Sequence, residues 1–116
     1  MIRVKNKHKS KQESNDIYIG RGSVLGNPFT HFDLEKTKAE FHCETREESI
    51  SNYENYLLEK IKNKDLSICN ELNRIYSLAL KQDVNLVCFC HPKSCHGDII
   101  KKIIESKIFS LDNIFL

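Results

Sequence analysis

Cysteine and histidine are concentrated in one short stretch of the chain, VCFCHPKSCHGDII (87–100). Cys88 and Cys90 are two residues apart, so on a strand their side chains lie on the same face. Cys95 and His96 come just before an amphipathic run and are predicted to begin a helix. Unpaired backbone N–H groups and the helix dipole favour an anion at that position. The stretch is therefore predicted to run from a strand into the start of a helix that can hold an anion.

The predicted start of this helix also carries side chains that could react. A thiol at a helix N-terminus should have a lowered pKa, so Cys95 can be a thiolate. His96, or the nearby His91, can serve as a general acid or base. If the protein is an enzyme, we expect Cys95 or Asp98 to act as the nucleophile and His96 as the acid/base.

A zinc site is the competing interpretation, because Cys88, Cys90, Cys95 and one histidine are suitable ligands. However, the C-x-C-x4-C-H spacing differs from the paired C-x2–4-C knuckles of structural zinc sites. Cys88 also belongs to an apolar run that is typical of a core strand, where free cysteine is often buried. We therefore predict that no metal is bound and that no cofactor is required.

A second stretch, GRGSVLGNPF (20–29), holds three of the four glycines of the chain. Its glycines allow the backbone to approach a ligand closely, and its arginine can bind a phosphate through two parallel hydrogen bonds. The run lacks the lysine of a P-loop and the spacing of a dinucleotide fingerprint, and it can also be a simple turn with a surface arginine. The residues expected to contact a ligand are Gly20, Arg21, Gly22, Ser23, Asn27, Cys90 and Gly97.

The elements around these stretches predict one α/β domain over residues 1–116. Strands are expected at 2–5, 16–20 and 84–90, and the last of them should be buried on both faces because it is continuously apolar. Helices are expected after Thr45, over about 65–81 and over 96–107, while 30–43 stays unassigned. In such a sheet, covered by about three helices, ligands bind beyond the carboxyl ends of the strands. We therefore expect the two stretches to meet, with the Arg21 guanidinium and the His96 N–H facing one pocket.

Composition restricts the class of protein. The chain has 116 residues, 29% of them charged, and a net charge of +2, which is too small to favour nucleic acid as the partner. No apolar run approaches the roughly 18 residues of a membrane span, and no secretory signal is recognisable, so a cytoplasmic protein without membrane contact is expected. An odd number of cysteines argues against a disulfide framework. Five cations without an intervening acid form either a solvated edge or a phosphate-binding patch: Arg3, Lys5, Lys7, Lys9 and Lys11.

The chain resembles the family known as domain of unknown function 4326, which occurs in bacteriophages and bacteria. The resemblance is carried, in order, by IYIGRGSVLGNPF (17–29), TREESISNYENYL (45–57) and LVCFCHPKSCHGDII (86–100). Phe89 departs from it, since the family often has tryptophan there, and the helix at 65–81 lengthens the spacing before the last strand. The resemblance implies a compact Rossmann-like domain and a phage or mobile-element origin, but no established reaction. The C-x4-C-H block is also similar to a site in another Rossmann-like family.

Three functions are compatible with these residues. The first is binding of a nucleotide or related phosphorylated small molecule at the carboxyl edge of the sheet, with possible cleavage or transfer at its glycosidic bond. The second is a non-catalytic phage module that sequesters a host nucleotide signal. The third is a small zinc-binding interaction domain. The oligomeric state is not predicted.

The metal content of purified protein distinguishes the third function from the others. We expect well under one zinc per chain, because Cys88 should pack in the sheet and not turn toward Cys95. Metal analysis of protein purified from cells measures this directly. Stoichiometric zinc whose removal unfolds the protein would contradict the expectation.

Overall fold

The central strand of the main sheet, β5 (Val84–Cys88), is buried along its whole length. It lies between β1 (Ile2–Asn6) and β2 (Asp16–Tyr18) and runs parallel to both, which gives the strand order β1-β5-β2. The computed structural model describes residues 1–30, 40–89 and 95–110. For residues 109 and 110 it describes the backbone alone. The predicted α/β class, with a small parallel sheet and three helices, is confirmed.

The helices begin close to where their sequence signals predict. Helix α1 covers Arg46–Lys62, and the Thr45 hydroxyl caps it by accepting a hydrogen bond from the Glu48 N–H. Helix α2 covers Leu66–Ala79 and is capped in the same way by the Asp65 carboxylate. These caps satisfy backbone donors that a helix leaves unpaired at its start.

Helix α3 covers His96–Ser110 and is longer than the predicted 96–107.

Helices and strands share one hydrophobic core on one face of the sheet. Because side chains alternate along a strand, every second residue of the strands points into this core. Its strand members include Ile2, Ile17, Val84, Leu86 and Cys88, and its helix members include Tyr53, Leu57, Leu72, Ile75, Ile100 and Ile104.

The opposite face of the sheet is covered by the segment 7–15 and is polar. The Lys5 ammonium pairs with the Asp16 carboxylate at 2.7 Å and donates to the Lys11 carbonyl at 2.9 Å. The buried Asn85 amide donates to Asp16 Oδ1 at 3.1 Å. The bond to Asp16 raises the pKa of Lys5. Burial raises the pKa of Asp16, but the hydrogen bonds it accepts outweigh this and lower it overall. Strand β5 is thus buried on both faces, as predicted, although helices cover only one of them among the described residues.

A second, two-stranded sheet lies in the region that the sequence left unassigned. Strand β3 (Phe29–Thr30) pairs in parallel with β4 (Phe41–His42), and the Phe29 and Phe41 rings are 5.3 Å apart. Residues 31–39 lie outside the described part of the chain. The glycine loop therefore ends in a strand and not in a free turn.

Three strand ends differ from the prediction. Strand β1 ends at Asn6 instead of residue 5. Strand β2 ends at Tyr18 instead of residue 20, although the Ile19 N–H still donates to the Val87 carbonyl at 3.0 Å. Strand β5 ends at Cys88, and the predicted end at Cys90 falls outside the described residues. Across the described residues, no helix combines the length and apolar character that crossing a membrane requires.

The close approach of α3 to the sheet depends on Gly97. A Cβ atom at this position would lie 2.9 Å from Ile19 Cδ1 and 3.0 Å from Val4 Cγ1. Ile19 is buried, and the β-branched Val4 has little rotamer freedom. We predict that Gly97→Ala lowers the free energy of unfolding by about 1–3 kcal/mol through overpacking, measured by urea unfolding.

At a helix position with free space for a Cβ atom, replacing glycine by alanine would instead raise the free energy of unfolding, since alanine is favoured over glycine in a helix by about 1 kcal/mol. Ser77→Ala, on the exposed side of α2, is the control and should change stability by less than about 0.5 kcal/mol. A Gly97→Ala variant as stable as the parent would show that the helix does not pack this tightly.

Candidate functional site

The start of α3 contacts the chain just before the glycine loop, whereas the expectation that the Arg21 guanidinium and the His96 N–H face one pocket stays a prediction. The contact is a hydrogen bond of 2.6 Å between His96 Nε2 and the carbonyl of Ile19, the residue just before the loop. Because a carbonyl oxygen only accepts, Nε2 carries the proton and donates it. His96 therefore joins the first turn of α3 to the end of β2.

The glycine loop closes on itself through backbone hydrogen bonds. The Gly20 carbonyl accepts from the Ser23 N–H at 3.1 Å, and the Ser23 carbonyl accepts from the Gly26 N–H at 3.0 Å. Gly22 has a φ of 96°, which a residue with a Cβ atom rarely adopts. A Cβ atom at Gly26 would lie 2.8 Å from the Gly20 oxygen. Two of the glycines are thus required by the turn itself.

Arg21 and Asn27 hold the loop in place. Arg21 donates from Nε to the Asn27 carbonyl at 3.0 Å and from Nη2 to the Phe29 carbonyl at 2.8 Å. The buried Asn27 side chain donates to Ser49 Oγ at 2.9 Å, which connects the loop to α1. These bonds use donors that were predicted to bind a ligand, and the ligand-binding role of both residues stays a prediction.

His96 is surrounded by protein. Its ring lies edge-to-face on the Tyr53 ring at 5.0 Å, and the Tyr53 hydroxyl donates to the Leu25 carbonyl at 2.7 Å. Burial lowers the pKa of His96 to about 4, more than its bond to Ile19 raises it, and the charge of Arg21 lowers it further. At neutral pH the imidazole is therefore neutral and serves as a hydrogen-bond donor inside the fold.

The predicted thiolate at Cys95 is wrong. Cys95 is buried, and its Sγ lies 3.3 Å from Cys88 Sγ. The hydrogen bond with Cys88, burial and the charge on Cys88 raise the pKa of Cys95, although a bond from the Gly97 N–H lowers it. A low dielectric disfavours the charged form more than one backbone donor favours it. Cys95 is consequently a thiol at neutral pH.

The expected position of Cys88 is half right. Its side chain is buried in the core, but it also turns toward Cys95. The two sulfurs are neighbours in the structure, whereas Cys90 and His91 lie outside the described residues. Within the described part of the chain, no group of three potential metal ligands is close enough to hold an ion. The reason for expecting little zinc therefore fails, and the prediction itself is still to be tested.

Asp98 is exposed and caps the helix start. Its carboxylate accepts a hydrogen bond from the Cys95 N–H at 3.2 Å, and its own N–H donates to the Cys95 carbonyl at 3.1 Å. Among the three proposed catalytic residues, only Asp98 is exposed to solvent. A nucleophilic role for it stays a prediction.

A cleft on the polar face of the sheet was not predicted from the sequence. The cleft has a volume of about 340 Å³, and three of its lining residues, Lys5, Tyr18 and Val87, lie at or next to the last residues of β1, β2 and β5. Its lining consists of Lys5, Lys7, Ser10, Gln12, Asp16, Tyr18 and Val87. The alternation of the strands carries the signal, because Lys5 follows Val4 and Tyr18 lies between Ile17 and Ile19, which contact the core, so both must face the other side of the sheet.

The buried His96 predicts a loss of stability in acid. Between its unfolded pKa near 6.5 and its folded pKa of about 4, the unfolded chain binds a proton that the folded protein does not. Stability therefore falls as the pH drops through this window. We expect His96 to contribute a loss of about 2 kcal/mol between pH 7 and pH 5.

The matched variant is His96→Gln, whose amide can donate to the same carbonyl but does not titrate. Urea unfolding of both proteins at pH 7 and pH 5 isolates the histidine, since other groups titrate equally in the two chains. An equal loss of stability in the parent and in His96→Gln would contradict the neutral, buried assignment.

Comparison with known proteins places the chain in a phage-related family. It is 30% identical over 105 residues to the "Uncharacterized 12.4 kDa protein in nrdA-td intergenic region" of Enterobacteria phage T4, a match that covers 90% of this chain and 79% of the phage protein. No solved structure matches the chain. A family model matches residues 2–106, so the chain belongs to the family described as "Domain of unknown function (DUF4326)".

Proposed function

We propose that the protein binds a nucleotide or a related phosphorylated small molecule at the carboxyl edge of its main sheet. The observation that carries the proposal is the cleft beside Lys5, Lys7 and Tyr18, whose volume of about 340 Å³ falls within the range of small-molecule sites. The cleft adjoins the glycine loop, because the Tyr18 hydroxyl donates to the Arg21 carbonyl at 3.1 Å. Cations and an aromatic ring are the groups that a phosphorylated, ring-containing ligand requires.

The two lysines of the cleft differ in what they can bind. Lys5 is paired with Asp16 and has a side-chain exposure of only 14%. Lys7 is exposed, and within the described residues no carboxylate lies at ion-pair distance from its ammonium. A phosphate group gains most from the cation that is not already neutralised. Lys7 is therefore the proposed phosphate contact.

The position of the cleft also supports the proposal. In open parallel sheets, ligands bind outside the carboxyl ends of the strands. The parallel pairing of β1, β5 and β2 supports the Rossmann-like arrangement that the family resemblance implies, which is part of this proposal. We further propose that the protein acts in the cytoplasm, that of the bacterial host if a phage encodes it.

The residues at the loop junction favour binding without chemistry. Cys95 is a buried thiol, and the low pKa of the buried His96 makes it a poor base at neutral pH. A nucleophile and a general base must reach the reacting atoms. We therefore favour a module that sequesters a host nucleotide signal over an enzyme that acts on a glycosidic bond.

Removing the proposed phosphate contact provides the test. We expect AMP to bind more tightly than adenosine, and Lys7→Ala to weaken AMP binding about tenfold, near the lower end of the effect of a hydrogen bond to a charged group. Isothermal titration calorimetry on each protein measures both differences. The adenosine affinity should change little, because adenosine carries no phosphate.

The control is Lys81→Ala, which removes an exposed lysine near the other end of the sheet. It should bind AMP as the parent does, so a general charge effect can be recognised.

Recovery of AMP unchanged after incubation is also expected for a sequestering module. If AMP and adenosine bind equally, and Lys7→Ala has no effect, the cleft does not recognise phosphate.

A further inference from the structure

An exposed aromatic cluster lies beside the cleft and is not explained by packing. Phe89 is 46% exposed and Tyr18 is 39% exposed. The Phe89 ring lies 5.0 Å from the His8 ring, tilted by 36°, and 5.9 Å from the Tyr18 ring, edge-to-face. The hydrophobic core occupies the opposite face of the sheet. Exposed apolar clusters with a polar rim mark binding surfaces more often than isolated exposed residues do.

The backbone around the cluster is fixed by hydrogen bonds. The Lys7 N–H donates to the Cys88 carbonyl at 2.8 Å, and the buried Asn6 amide donates to the Phe89 carbonyl at 2.9 Å. The Asn6 side chain also accepts from the His8 N–H at 2.8 Å. The end of β1 is thereby fastened to the end of β5. Because these positions are already ordered, a ligand would lose little free energy in ordering them.

A cation lies over two of the rings. The Lys7 ammonium is 5.4 Å from the centre of the Tyr18 ring and 5.9 Å from the centre of the Phe89 ring. A flat group that stacks on Phe89 would therefore have a positive charge beside it. A nucleobase bonded to a sugar phosphate has both features, a flat ring and a nearby anion, whereas a sugar phosphate has only the anion.

We infer that the aromatic cluster of His8, Tyr18 and Phe89 is a nucleobase platform, on which the base of a free nucleotide stacks against Phe89 while its phosphate contacts Lys7. This inference rests on the proposed function and narrows its ligand class to nucleotides. Stacking tolerates any base, since every base presents a flat π face. Selectivity among bases would then have to come from residues other than these rings.

The test compares ligands with and without a base. AMP, GMP, CMP and UMP are titrated against the parent protein alongside ribose 5-phosphate, using calorimetry at low salt. We expect the best nucleotide to bind at least about fivefold more tightly than ribose 5-phosphate, and Phe89→Ala to remove that advantage without changing the affinity for ribose 5-phosphate.

Two further variants control for loss of an exposed ring. Phe41→Ala removes a comparably exposed phenylalanine, 51% exposed, from the small second sheet. It should retain the preference for nucleotides, and Phe89→Tyr should retain it as well. Thermal unfolding of each variant shows whether its fold is intact.

The outcomes separate the two proposals. If no nucleotide binds and ribose 5-phosphate also fails, both the proposed function and the platform are overturned. If ribose 5-phosphate binds as well as the nucleotides and Phe89→Ala behaves as the parent, only the platform is overturned. A short single-stranded oligonucleotide that binds where all mononucleotides fail would overturn the assignment of a free nucleotide.

Discussion

The central strand β5 has to be covered on both faces, and helices cover only one of them among the described residues. On the other face, Asn85 and Val87 are covered by the loop segment 7–15, and Lys5 holds this segment through its hydrogen bond to the Lys11 carbonyl while its ion pair with Asp16 joins β1 to β2. A buried amide such as that of Asn85 requires partners, and Asp16 supplies one. Because loop and not helix covers this face, it is polar and leaves room for a cleft.

The residues that look most reactive in the sequence are largely engaged inside the protein. His96 fastens α3 to the end of β2, and Arg21 and Asn27 fasten the glycine loop to itself and to α1. Cys95 is buried against Cys88. Gly22, Gly26, Arg21 and His96 therefore each have a structural role at this junction of loop and helix. Their chemistry explains how the carboxyl edge is built.

The sequence alone was sufficient to predict features that depend on residues close together in the chain. The cap at Thr45, the helical periodicity and the apolar run of β5 are local, and each predicted element exists. The pKa values of Cys95 and His96 were not predictable in the same way, because they depend on burial by distant segments. A helix N-terminus lowers the pKa of an exposed thiol, but that effect is outweighed once the thiol is desolvated beside a second sulfur.

At the carboxyl ends of the strands, the core face and the polar face of the main sheet thus differ in how exposed their polar groups are, and this difference bears on function. On the core side, Cys95 and His96 are buried and uncharged at neutral pH, and Arg21 and Asn27 donate hydrogen bonds within the protein. On the polar side, Lys7, Tyr18 and Phe89 are exposed on a backbone that is fixed by Asn6. A ligand gains more from exposed groups on an ordered backbone than from buried groups, which it can reach only if internal bonds break. The proposed binding surface therefore uses Lys7, Tyr18 and Phe89 and does not depend on the buried Cys95 and His96.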